Sequence, residues 1–204
     1  LIMKKIGFAY ILFTLIVSVG CSQEESGSAT QTQLTSQEIS DLLFLYEEEK
    51  MARDVYLIGK EKYGGNQFTN ISSSEQRHMA AVAEVLEAHG IPLPVEDIRG
   101  EFTDQVIIEL FNSLEQMVMK SEIEAYRAAA LVEETDIADL REFIKNSTNE
   151  VLLNVYNHLE CGSGNHIRAF TMKLDMLGVT YAPTVLSEND YDEIIASGHA
   201  SCGG

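Results

Sequence analysis

Apolar residues recur at three- and four-residue spacing through four long stretches of the chain, the period of helices that bury one face. The first predicted helix opens after Thr35, where Glu38 completes a capping box, and stops near Tyr63 at Gly64-Gly65. Its inward stripe is Leu42, Leu45, Glu49, Ala52 and Tyr56. The second opens after the serines 72–74 and ends before Gly90, with Pro92 beyond; its stripe is Glu75, His78, Val82 and Val85. A shorter helix from Phe102 to Met119 turns Val106, Leu110, Phe111 and Leu114 inward. The third long helix opens at Ser121 with Glu124 as a second capping box, and its stripe is Ile123, Tyr126, Ala130, Glu133, Ile137 and Leu140. The fourth spans roughly Glu150 to Leu177 and ends at Gly178, with Leu152, Val155, Leu159, Gly162, His166, Phe170, Lys173 and Leu177 inward. Beyond Pro183, SENDYDEII has the pattern of one more short helix.

This is an all-α pattern: an up-down four-helix bundle with an extra short helix in the connection between helices two and three. The helical domain covers residues 35–178, and residues 179–204 form an acidic C-terminal tail.

Ionisable residues interrupt every long apolar stripe: Glu49, Glu75 with His78, Glu133, and His166. A lone buried carboxylate costs on the order of several kcal/mol unless it is paired or neutralised. Four helices carrying the same cost point to a shared solution at the bundle centre. Carboxylates and imidazoles converging from facing helices suit divalent metals. Glu75 and His78, at i and i+3, project from one helix face. Two ambiguities follow from adjacency: Glu47 and Glu48 stand next to Glu49, and Glu134 next to Glu133. A competing arrangement pairs the acids with Arg53, Arg77 or Arg168 in a structural network.

The first twenty residues read differently. Lys4 and Lys5 precede an apolar run from Ile6 to Val19, too short for a comfortable membrane span, which ends at Gly20-Cys21. This resembles the bacterial lipoprotein signal, and the resemblance implies a signal peptide over 1–20, lipid on Cys21 and attachment to the membrane at the cell envelope. Residues 21–34, rich in Ser, Thr, Gln and Glu, read as a flexible tether. Cys161 and Cys202 remain, and in an oxidising envelope these two could pair. The formal net charge of −18 and the lack of a basic stripe exclude nucleic acid as a partner. A homodimer stays open.

Four separated segments, YEEEKMARDVY, FTNISSSEQRHMAAV, LVEETDIADL and GSGNHIRAF, resemble in order the signatures of a ferritin-like family catalogued as domain of unknown function 2202, distantly similar to rubrerythrin. The resemblance covers roughly residues 35–177. It implies a ferritin-like bundle that holds one or two iron or manganese ions, with Glu49, Glu75, His78, Glu133, Asp136 and His166 as ligands. It further implies an oxidoreductase acting on oxygen or peroxide. One departure stands out: the glutamate that rubrerythrins carry three residues before the last histidine is Ser163 here. Asp136 or Glu160 is then the candidate substitute. Tyr46, Tyr56 and Tyr126 are candidates to lie near the site. The alternative function is a non-catalytic lipoprotein interaction module whose buried Glu/His/Arg network is structural.

Overall fold

A computed structural model of the chain describes residues 33–202; the predicted signal segment over 1–20, Cys21 and most of the predicted tether lie outside them. The described residues form six helices and no strand: α1 (Ser36–Tyr63), α2 (Asn66–Ala88), α3 (Gln105–Lys120), α4 (Glu122–Asn146), α5 (Glu150–Met176) and α6 (Glu188–Ala196). The capping box expected at the start of α1 is complete, formed by Thr35 and Glu38, whereas the one expected at the start of α4 is half made: the Ser121 hydroxyl accepts from Glu124 N, but the Glu124 carboxylate pairs with Arg127. Gly64 and Gly65, both at positive φ, turn the chain from α1 into α2.

Two boundaries differ from the sequence reading. Helix α2 starts at Asn66, well before the serines. The hydroxyls of Ser72 and Ser73 bond back to Thr69 O, so these residues sit inside a helix instead of capping one. In α3 the buried face is Ile107, Phe111, Leu114 and Val118, while Val106 is exposed. Asp104 caps the helix through Val106 N and Ile107 N, which fixes the register one residue later.

Helices α1 and α2 pack as one hairpin and α4 and α5 as another; α1 also packs on α4, and α2 on α5, so the four long helices close a ring. Their apolar residues form two separate clusters. One holds Met51, Val55, Tyr56, Phe68, Ala125, Ala129, Val132 and Phe170; the other holds Leu42, Leu45, Val82, Leu86, Leu140, Leu152 and Leu159. Helices α2 and α4 both start in the first cluster and end in the second. They therefore run the same way, and the chain between them must travel back along the bundle. Residues 89–104 and α3 make that crossover, with α3 packed on α1 and α4.

The crossover is fastened to the outward side of α1. Lys50 Nζ, fully buried, donates to Asp54 Oδ2 (2.9 Å), Ile98 O (2.6 Å) and Glu101 O (3.1 Å). Gly100 N donates to Asp54 Oδ2, and Thr103 N and Asp104 N donate to Glu47. Residues Leu45–Tyr56 are consequently buried on every side of the helix. A disulfide joins Cys161 on α5 to Cys202, with Cα atoms 5.4 Å apart, and ties the end of the described chain to the bundle.

Candidate metal centre

The ionisable residues of the four long helices fall in one layer between the two apolar clusters. Consecutive residues on a helix point 100° apart, so Glu47, Glu48 and Glu49 face three directions. Glu47 faces the crossover, Glu48 faces α4, and Glu49 faces the centre, where its Oε2 lies 3.2 Å from His78 Nδ1. The same geometry separates Glu133 from Glu134. Glu133 faces inward, whereas Glu134 turns away and accepts from Tyr181 Oη, Thr184 N, Val185 N and Leu186 N at 2.5–2.7 Å. Glu134 thereby anchors the connector that leads to α6.

Two ligand groups result, Glu49–Glu75–His78 and Glu75–Glu133–His166, with the ligand atoms of each within 4.8 Å of one another. Glu75 belongs to both. Its Oε2 lies 2.7 Å from His78 Nδ1 and its Oε1 lies 2.8 Å from His166 Nδ1. The two imidazoles stack with centroids 5.4 Å apart. All five residues are at least nine-tenths buried. Glu49 Oε1, Glu75 Oε1 and His166 Nδ1 have no hydrogen-bond partner, although the last two are close together. Atoms that crowd a point without bonding to one another are arranged as ligands around a cation would be.

The electrostatics follow from burial. Desolvation pushes the Glu49 carboxyl up to about 7 against the pull of His78, and it pushes Glu133 to about 7 with Glu75 adding to the rise. Desolvation also acts on Glu75, but the imidazoles of His166 and His78 outweigh it and hold that carboxyl well below the usual range. Burial alone would lower His166; Glu75 and Glu133 raise it to about 10. In metal-free protein, protons on the histidines therefore do what cations would do.

Residues 38–198 match the family described as Uncharacterized protein domain (DUF2202). The chain belongs to this family. An uncharacterized protein of Methanocaldococcus jannaschii is 41% identical over 175 residues, which cover 85% of this chain and 95% of that protein. The crystal structure of a hypothetical protein from Methanococcus jannaschii DSM 2661 is similar with a TM-score of 0.82 at 40% identity, covering 85% of this chain and 99% of that one.

Other candidate residues of this DUF2202 chain fall inside and outside the two groups. Asp136 is buried beside them but belongs to neither. The Ser163 hydroxyl donates to Asp136 Oδ2, which leaves Oδ1 unbonded. Glu160 is partly exposed and pairs with Arg141, so it does not stand in for the glutamate absent at 163. Tyr56 Oη donates to Glu133 Oε1 at 2.5 Å, whereas Tyr126 stacks on Phe68. The three arginines turn elsewhere: Arg53 to Asp54, Asp97 and Gln76, Arg77 to Ser73 O and Ser74, and Arg168 to Ile194 O, Ser197 and Asn165. An acid–arginine network at the centre is therefore not formed.

Gly162 provides room for the site. A Cβ there would sit 2.8 Å from His78 Nε2 and 2.9 Å from its Cε1. The sequence marks this position only as an inward glycine on a helix. A cavity of about 630 Å3 opens over this edge, lined in part by Arg77, His78, His158, His166 and His199.

Proposed function

We propose that this chain is a ferritin-like metal protein that holds two transition-metal ions, iron or manganese, in its helical core. The observation that carries the reading is Glu75, which offers one oxygen to each of two imidazole-containing groups. A shared carboxylate between two nitrogen-capped positions is the donor set of a dinuclear site. The architecture supports it: four-helix folds of the ferritin type carry one long crossover, and residues 89–120 have that role here. Glu49 and Glu133 would complete the two positions, and Tyr56 would hold Glu133 in place. Such ions supply oxygen or peroxide chemistry when bound, and the cavity over the His78–His166 edge is the route to them. The resemblance of residues 1–21 to a lipoprotein signal supports a place at the cell envelope for this activity, with lipid on Cys21 as the tether.

Metal content per chain tests the proposal. Protein from residue 35 onward, purified from medium supplemented with iron and manganese, should carry about two ions per chain, and Glu75→Ala none. A folded wild-type domain without metal overturns the reading and turns attention to a non-catalytic envelope module.

A further inference from the structure

The cavity over the His78–His166 edge departs from the acidic character of the chain. The sequence has 32 acidic residues against 14 basic ones, yet among the described residues no Asp or Glu lines this cavity. A second cavity, of about 540 Å3, shows the usual bias, with Asp41, Glu47, Asp104 and Asp139 in its wall. Four of the five histidines in the sequence, His78, His158, His166 and His199, line the first cavity, together with Arg77.

Arg77 is a guanidinium without an acid. Arg53, Arg99, Arg127 and Arg141 each pair with a carboxylate. Arg77 donates only to Ser73 O and the Ser74 hydroxyl, and no carboxylate pairs with it among the described residues. A guanidinium has about five N–H donors, so several remain for a ligand. In a chain of net charge −18, an unpaired guanidinium beside imidazole N–H groups reverses the local field and favours an anion.

The tail side of the cavity is fixed. Cys202 is joined to Cys161 on α5, Asn165 Nδ2 donates to Ala200 O (3.0 Å), and Ala200 N donates to Asn165 Oδ1 (2.9 Å). These bonds hold His199 in the lining, to which Ile71 and Ala169 add apolar surface. The volume of about 630 Å3 suits a small organic molecule and exceeds what oxygen or peroxide needs.

We infer that this cavity binds a small organic carboxylate, whose head group accepts from Arg77 with His158 and His199 beside it, and whose apolar body lies against Ile71 and Ala169. Guanidinium and carboxylate match through two parallel hydrogen bonds. As the substrate of the metal centre proposed above, the carboxylate rests on that reading, because His78 and His166 stand at the cavity's edge. The seat itself needs no metal, since Arg77, His158 and His199 belong to neither ligand group.

Benzoate is titrated calorimetrically into the full chain stripped with chelator, with inorganic phosphate as the second probe. Metal-free protein should bind one benzoate, and more tightly than phosphate. Arg77→Gln should weaken benzoate about tenfold or more, and His199→Gln by less. Arg99→Gln removes the same charge from a surface pair with Glu61 and should bind benzoate as wild type does. All three positions are exposed, so lost binding does not report unfolding. No benzoate uptake by metal-free wild type overturns the inference, as do tighter binding of phosphate than of benzoate and equal losses in Arg77→Gln and Arg99→Gln. Metal loading then separates the two readings. In cobalt-loaded protein the benzoate ring protons should relax faster than in zinc-loaded protein, and equal relaxation in protein that holds its metal overturns the substrate role. Protein that binds benzoate but neither metal keeps the carboxylate seat and loses the metal centre.

Discussion

Glu75 Oε1 and His166 Nδ1 lie 2.8 Å apart, yet neither atom takes part in a hydrogen bond. The other oxygen of Glu75 stands at the same range from His78. One carboxylate thus serves both groups, whereas each histidine serves one. His78→Ala and His166→Ala should each lower metal content from about two ions to about one, in contrast to the complete loss in Glu75→Ala. Elemental analysis of the three variants checks this; equal losses in all three would show that the two positions do not fill independently.

Metal-free protein should lose stability as pH rises. Glu49 and Glu133 titrate near 7 when folded, against about 4.3 for an unfolded glutamate, so the folded chain holds protons that the unfolded chain has released. Stability from this source falls from about pH 4 through 7. His166, raised to about 10, adds stability that is complete below about 6.5 and disappears as pH climbs through 10. Glu75 has the opposite sign, and its contribution is lost only in acid. Melting temperatures measured with chelator should fall steadily between about pH 5 and 9, while affinity for metal rises as those protons become easier to displace. A rising melting curve over that range would contradict the assignment.

Gly162→Ala should injure the site more than the fold. Alanine favours the helix by about 1 kcal/mol over glycine, but its Cβ would press on the His78 ring. Metal content at the Glu49–Glu75–His78 position should drop while the melting temperature of metal-free protein changes little. Serine would add further bulk, so Gly162→Ser should be worse for metal.

Glu134→Ala should do the reverse. Three backbone N–H groups and the Tyr181 hydroxyl lose their shared acceptor, a loss of about 3 kcal/mol for charged hydrogen bonds of this kind. Denaturant unfolding measures that loss, and metal stoichiometry should stay at the wild-type value. Faster proteolysis near residues 181–186 is the accompanying sign.

How much of this was legible beforehand varies by residue. The repeated placement of Glu49, Glu75, His78, Glu133 and His166 on apolar stripes could be read directly, because a helix with one buried face writes its period into the chain. Helix starts at Thr35 and Ser121 were equally legible, since capping is local chemistry. Helix α1 hid more. Its residues 45–56 are buried all round by the crossover, so Glu47, Lys50 and Asp54 look like a solvated face and are in fact internal partners.

The sequence by itself determined that four long helices form, where two of them begin, and which acids and imidazoles share an inward face. These depend on neighbours within one or two turns. Only the tertiary structure decided that Glu75 stands between two histidines, that α2 and α4 run the same way, that Cys161 meets Cys202, and that Ser163 holds Asp136. It also decided that Arg53, Arg77 and Arg168 turn away from the acids. Each of these depends on how helices distant in the chain are rotated and shifted against one another, and packing across the whole core sets that rotation.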